Sequence, residues 1–424
     1  MLLFMIGSML LLLFLGFPLM VPTIVGPLVV LDQYFPGIPT SMVLQQMISG
    51  VRLMTLIAIP MFIFAAKIMT KGTSADRLIE WVTAFVGHVP GGLAIATSGS
   101  CTAFGAISGS AQATAVAIGQ PMLPKLIRHG YSPSYGIALI ITASGIALLI
   151  PPSIGMILYG VITNNSIGDL FIAGIGPGLL VFLLFAVYSY WHARRHNIPL
   201  TPKATWKERL RYTKRALPAF GFPVLIVGGI YSGLFSPNEA AGVSVAYAVI
   251  LEVFVYKALK LRELQEIALD TGLITSVVFI LLAMGAAFSW VVTFARIPNQ
   301  ILPYVFGPDS GIYYTMMIIT VAYFLACMFV DNIVVIMILT PILYPIAMKT
   351  GVDPIVLGVI ITLQAAIGAC TPPFGANIFT AIAVFRRPYW DCVKSTPVFV
   401  LIMMITTFIL MFVPQISLFL TGRS

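Results

Sequence analysis

Two stretches decide how this chain folds: Gly99-Ser100-Cys101-Thr102-Ala103-Phe104-Gly105-Ala106-Ile107-Ser108-Gly109-Ser110-Ala111, and the run IPPSIGMILYG at 150–160. Both lie in intervals free of Asp, Glu, Lys, Arg and His, one of 36 residues (89–124) and one of 39 (130–168). A spanning helix takes about 20 apolar residues, so each interval is too long for one span and too short for two joined by a turn. Both are also broken internally, the first by Gly99, Gly105 and Gly109 among serines, the second by Gly145 and Pro151-Pro152. Non-helical backbone at membrane depth persists only inside protein or beside a water-filled cavity. The expectation is a re-entrant hairpin at 89–124 and, at 132–163, a helix unwound in its middle.

The composition agrees. The 424 residues include 23 Lys+Arg and 14 Asp+Glu, only 9% charged, with 59% hydrophobic and a mean hydropathy of +1.02. A soluble chain carries about 25% charged residues, so a water-soluble domain is excluded. The net charge of +9 marks cytoplasmic loops rather than a nucleic-acid surface. Cys101, Cys327, Cys370 and Cys392 show no CxxC or Cys/His pairing and read as small hydrophobes. Residues 1–31 lack a basic n-region and a cleavage site, and Pro18 and Pro22 point to one long kinked or tilted span there. Single spans fit 170–191, 216–238 and 271–295, and 240–251 reaches span length if Glu239 and Glu252 sit toward its ends.

Eight of the 23 basic residues crowd 194–215, which places that loop in the cytoplasm. Walking outward puts Lys257, Lys260, Arg262, Arg386, Arg387 and Lys394 inside, together with Lys67, Lys71, Arg77, Lys125 and Arg128. The walk closes only if 89–124 enters and leaves on the cytoplasmic face. It leaves the N-terminus cytoplasmic and the C-terminus periplasmic.

A shift of 221 residues repeats the punctuation: Pro124 with Pro345, Gly130 with Gly351, Pro133 with Pro354, and Pro151-Pro152 with Pro372-Pro373. Each of these residues constrains backbone shape. A second hairpin is therefore expected at about 313–348 and a second broken helix at 354–385. Five spans separate the hairpins, so the repeat is inverted. The fold class is an all-α polytopic membrane protein built on an inverted repeat, the architecture of secondary transporters. The chain divides into N-terminal spans and an arm helix (1–88), a first repeat (89–168), spans with a basic loop at 192–216 (169–295), a second repeat (310–385) and a C-terminal span (386–424).

The chemistry is expected where hairpin tips meet helix breaks. Ser108 and Ser110 flank the first tip and offer hydroxyls to a hard cation, although small residues also serve close packing. Asp331, followed by Asn332, stands between charge-free runs of 21 and 17 residues. A carboxylate at that depth is a functional candidate, the plain alternative being a hydrogen bond to its own hairpin. Unwinding frees carbonyls for a cation and presents a half-helix N-terminus to an anion. Two sodium sites follow. One is Ser108 and Ser110 with carbonyls near Gly145, Leu148 and Pro151; the other is Asp331 and Asn332 with Gly368 and Thr371. Pro152, Ser153, Pro373 and Asn377 lie beside the breaks as substrate contacts, and Ser153 and Asn377 can equally be helix caps. Sodium is favoured over protons because Asp331 is the only carboxylate deep in a hairpin and the four His lie at span ends. No Gly-Lys dipeptide occurs, so there is no Walker A site and no organic cofactor is expected.

With these residues in view the chain resembles the large, DctM-like membrane subunit of tripartite ATP-independent periplasmic (TRAP) transporters. The likeness rests on GAISGSAQA (105–113), IPPSIGMILYG (150–160), Asp169-Leu170-Phe171 with the following AGIGPGLL, and TPPFGANIF (371–379). The resemblance implies a sodium-coupled elevator importer of the bacterial inner membrane, with scaffold and transport domains. It implies an organic acid such as sialic acid or a C4-dicarboxylate, received from a periplasmic binding protein. It also implies a small membrane subunit, expected here as a separate chain, and interfacial arm helices at about 71–88 and 203–216 with 257–270. Proton-coupled or binding-protein-independent carboxylate transport is the nearest alternative. A channel and an intramembrane serine protease are more remote: Ser108-Gly109 superficially resembles the rhomboid motif, but that chemistry needs a His base in a neighbouring span.

Overall fold

A computed structural model describes residues 2–18, 20–297, 299 and 311–422. Residue 310, the expected start of the second repeat, and the chain ends at 1 and 423–424 lie outside these. Among the described residues all regular structure is helical.

The first repeat consists of α6 (Gly92–Ser108), α7 (Ala111–Arg128), α8 (Pro133–Ala143), which runs on as a 3-10 turn (Ser144–Leu148), and α9 (Ile154–Thr163). The second consists of α14 (Ile312–Phe329), α15 (Asn332–Lys349), α16 (Pro354–Ala369) and α17 (Ala376–Phe385). At a spacing of 221, α7 superposes on α15 end to end, and α8 with its 3-10 turn on α16. Gly130 and Gly351, the paired linker glycines, both take positive φ (+91° and +80°). Pro151-Pro152 and Pro372-Pro373 are both cis. The hairpins and broken helices therefore stand where the punctuation placed them.

Five helical segments lie between the hairpins: the first broken helix, α10 (Ile167–Arg195), α11 (Trp206–Tyr231), α12 (Pro237–Val249, extended by a π turn at Ile250–Val255) and α13 (Leu261–Phe294), of which α10, α12 with its extension and α13 are each long and apolar enough to cross a membrane. Glu239 and Glu252 do sit toward the two ends of α12 and its extension. The stretches at 203–216 and 257–270 are not separate surface helices. They form the first turns of α11 and α13, while 71–88 becomes α5 (Ser74–Val86). Ion pairs Lys67–Asp270, Lys71–Glu266 and Arg215–Glu80 stitch α4 (Ala58–Lys71), α5, α11 and α13 together at the basic end of the molecule.

One expectation fails. The described residues of the N-terminal stretch form two helices, α1 (Leu2–Phe14) and α2 (Met20–Tyr34), packed side by side, rather than the one kinked span expected of 1–31. Gly16 (φ +82°) turns the chain, and proline at 18 cannot donate to a continuing helix. The interval was too short for two full spans, yet these helices have 13 and 15 residues and are short of full spanning length. The inferred side of the N-terminus, which rested on a single span, loses its premise.

The repeats interlock. The hairpin arm α7 packs on α17, the half-helix of the other repeat, and α15 packs on α9. α10 lies against α6, α9, α16 and α19 (Thr396–Phe412). On the other flank, α13 carries α2, α3 (Ser41–Val51) and α4 and meets the second repeat through α15. Both α8 and α16 are buried from their second or third residue onward, which their largely apolar sequences permit.

Candidate functional site

Small residues bring each hairpin onto a broken helix. A Cβ on Gly105 would stand 2.7 Å from the Ala147 Cα, and one on Gly109 would stand 2.1 Å from the Pro152 carbonyl oxygen. The first tip thus rests directly on the first break. In the second repeat the same closeness is met from the other side: a Cβ on Gly368 would lie 2.7 Å from the Cys327 carbonyl carbon.

At the first tip Gly109 closes α6 with φ +58° and Ser110 caps α7, accepting from the Ala113 N–H. The Ser108 and Thr114 hydroxyls share a 2.6 Å hydrogen bond, and Ser108 Oγ also donates to the Ser110 carbonyl at 3.3 Å. The Ser108 and Thr114 hydroxyls thus pair under the tip against the Ser110 backbone, while the Ser110 hydroxyl donates to Gln112 Oε1 at 3.4 Å. At the second tip Asp331 caps α15, its Oδ1 accepting from the Ile333 N–H at 3.0 Å. The hydrogen bond to its own hairpin is thus present, and it involves only one of the two carboxylate oxygens.

The two breaks are tied to each other. The Ile141 carbonyl, which the shift to 3-10 geometry releases from α-helical pairing, accepts from Ser144 Oγ (2.8 Å), Cys370 Sγ (2.9 Å) and Asn377 Nδ2 (3.0 Å). Two of those three donors belong to the other repeat. Asn377 is completely buried, and its Oδ1 has no hydrogen-bond partner. Such an atom is costly unless something satisfies it.

Both tips and both breaks converge on a cavity of about 10 Å³ whose wall includes Gln112, Leu148, Asp331, Asn332 and Asn377. That is the room of about one water molecule, and therefore of a small desolvated ion rather than an organic solute. No Lys, Arg or His lines it. A second cavity, about 330 Å³, lies where α3 and α13 face α9 and α15, with Gln46, Ser289, Trp290 and Thr293 on one side and Val161 and Met337 on the other. It is the size of a small-molecule site.

Of the residues singled out by sequence, Leu148, Asp331, Asn332 and Asn377 meet at the small cavity, and Ser108 and Ser110 meet at the first tip. Gly145 packs on Ala366, and Gly368 on Cys327. Thr371 donates its hydroxyl to the Ile367 carbonyl at 2.7 Å. Pro151 and Pro152 are buried in the first break, while Pro373 is exposed and its carbonyl accepts from the Tyr389 hydroxyl. Ser153 is a buried N-cap of α9. Gln112, Thr114, Cys370 and Trp290 were missed. The first two carry a readable signal, as neutral polar side chains in the first turn of an otherwise apolar hairpin arm. All four cysteines are free and buried, and no cluster of His, Cys, Asp and Glu suited to a metal occurs among the described residues.

Residues 6–416 match the family described as the DctM component of the tripartite ATP-independent periplasmic transporter. The chain is 53% identical, over 97% of both chains, to the ectoine/5-hydroxyectoine TRAP transporter large permease protein UehC of Ruegeria pomeroyi. It is 52% identical, over 98% of both, to the ectoine TRAP transporter large permease protein TeaC of Halomonas elongata. Among solved structures, the YdaH transporter of Alcanivorax borkumensis superposes with a TM-score of 0.64 at 13% identity, covering 87% of this chain and 86% of that one. That last likeness concerns the fold alone.

Proposed function

The chain belongs to the DctM family of TRAP transporter large permeases, and from that premise we propose that it is the membrane path of a sodium-coupled importer for a small zwitterionic solute of the ectoine class. It is a multi-pass membrane protein and a transporter component rather than an enzyme. The observation that carries the substrate class is identity above 50% along nearly the whole length to two permeases named for ectoine. The charge inventory supports it: the solute-sized 330 Å³ cavity offers Gln46, Ser289, Trp290 and Thr293 but no guanidinium or ammonium group, whereas a dianion is usually met by Arg. Sialic acid and C4-dicarboxylates, which the family resemblance first brought forward, have less in their favour.

Sodium is the coupling ion that best suits the donors. Asp331, Asn332, Gln112 and the unpaired Asn377 Oδ1 are hard oxygen ligands around a space of one ion, and the Ser108 and Thr114 hydroxyls with the Ser110 carbonyl offer a second position at the first tip. An ion at the central position touches both hairpins and both breaks, so binding would tighten the whole repeat. In an elevator cycle the repeats carry the solute past α13 and its neighbours, and the 330 Å³ cavity gives it room on that boundary. A periplasmic binding protein delivers the solute, and a small membrane subunit completes the permease. Family membership supports the bacterial inner membrane, and the distribution of basic residues favours a periplasmic C-terminus.

The test is uptake of ectoine into proteoliposomes holding this chain, its small membrane subunit and its binding protein. Accumulation should require an inward sodium gradient. Accumulation driven equally by a proton gradient alone, or proceeding at full rate without the binding protein, would defeat the reading.

A further inference from the structure

We propose that the first three turns of α11, with the loop that enters them, form a docking surface for anionic phospholipid headgroups. The helix presents three distinct faces here. Arg209, Ala216 and Ala219 are buried. Trp206, Leu210 and Leu217, spaced i, i+4 and i+11, are 78%, 58% and 63% exposed and form one apolar stripe. Lys207, Arg211 and Lys214, spaced i, i+4 and i+7, form a cationic stripe beside it, and all three line a groove of about 570 Å³.

The acids nearby are already engaged. Glu208 folds back to cap α11, its Oε2 accepting from the Thr205 N–H and hydroxyl at 2.8 Å. Glu80 pairs with Arg215 at 3.4 Å. Among the described residues Lys203, Lys207, Arg211 and Lys214 have no carboxylate within ion-pair distance. The surface thus combines cations that lack an ion-pair partner, Arg211 alone feeling the Glu208 carboxylate in the same groove, with exposed Trp and Leu on an adjacent stripe. A soluble anion would satisfy the cations and leave the apolar stripe in water. A bilayer interface rich in anionic lipid satisfies both, with phosphates over the cations and acyl chains against Trp206 and Leu210. The stripe continues into the spanning part of the same helix, which fixes its height at the headgroup level.

The full-length chain in vesicles gives the test, with Trp206 read by difference against Trp206→Phe. Brominated phosphatidylglycerol and brominated phosphatidylcholine are compared as quenchers in otherwise identical phosphatidylcholine vesicles. Each cation near an anionic surface contributes roughly fivefold to headgroup preference. The wild type should therefore favour the anionic quencher. K207Q/R211Q/K214Q should lose a preference on the order of a hundredfold at low ionic strength, and Lys203→Gln alone only a few-fold. All four positions are exposed, so folding is not at stake, and retained quenching by phosphatidylcholine confirms it. Equal quenching by the two lipids in the wild type would overturn the proposal, as would a preference that survives the triple substitution. Relief of quenching by millimolar inorganic phosphate would reassign the site to a free anion. Failure of both lipids to quench Trp206 would show that this face does not reach the bilayer and would likewise overturn the proposal.

Discussion

Replacing Gly109 by alanine isolates what the first hairpin tip does. Gly109 has φ +58°, and its Cβ would sit 2.1 Å from the Pro152 carbonyl oxygen, a backbone atom that cannot swing aside. Two costs follow. The left-handed conformation costs an alanine roughly 1–2 kcal/mol, which lowers stability and leaves geometry alone. The clash must also be relieved by lifting the tip about 1 Å from the break, and functional constellations tolerate about 0.5 Å. Misplacement of that size costs on the order of a hundredfold where geometry sets function. Gly130→Ala provides the control, because Gly130 has φ +91° and its Cβ would meet nothing closer than 3.8 Å. Gly130→Ala should lose only the conformational penalty, and Gly109→Ala should lose more, because relieving its clash also costs packing. Only Gly109→Ala should raise the sodium concentration for half-maximal uptake, by roughly ten- to a hundredfold. The assay is ectoine uptake into proteoliposomes against sodium concentration, alongside a thermal melt. Equal sodium dependence in the two variants would refute the idea that tip-to-break contact forms an ion site.

Asp331→Asn keeps the cap on the Ile333 N–H, since the amide oxygen still accepts, but removes the only charge at the central cavity. The melting midpoint should stay near wild type while half-saturation by sodium rises tenfold or more (a change of about 1.4 kcal/mol or more), and an unchanged sodium titration would move the ion elsewhere. Cysteine at Lys125, at the foot of the first hairpin, should react with an impermeant maleimide from the cytoplasm, and cysteine at Thr350 from the periplasm. Labelling of both from one side would refute the inversion of the repeat.

The residues that shape backbone were legible in the sequence, and the residues that depend on tertiary contact were not. Pro133 and Pro354 open α8 and α16, and Ser110 and Asp331 cap the two second arms, because these choices are local. The α1–α2 turn was missed because a charge-free interval was measured against the length of a full span, while Gly16 and Pro18 act over only three residues. Gln112 and Thr114 escaped because a search for ionisable residues passes over neutral polar side chains. The three-donor knot on the Ile141 carbonyl joins residues 229 and 236 positions apart, and no local pattern announces it.

The close contacts of the two repeats explain why their sequence identity is low while their shapes agree. Each hairpin must approach its broken helix nearly backbone to backbone, which leaves room for a side chain on one surface only. In the first repeat the hairpin supplies the glycine, Gly105, and the broken helix the larger Ala147. In the second the equivalent positions are reversed: Ala326 and its neighbour Cys327 lie on the hairpin, and Gly368 lies on the broken helix. The constraint acts on the sum of the two surfaces, so either can yield. Positional comparison of the repeats then shows a mismatch at 105 and at 147, although hairpin and broken helix touch closely in both. What must repeat residue by residue is the chain's punctuation, the paired Pro-Pro breaks and the left-handed Gly130 and Gly351, because backbone direction admits no exchange between partners.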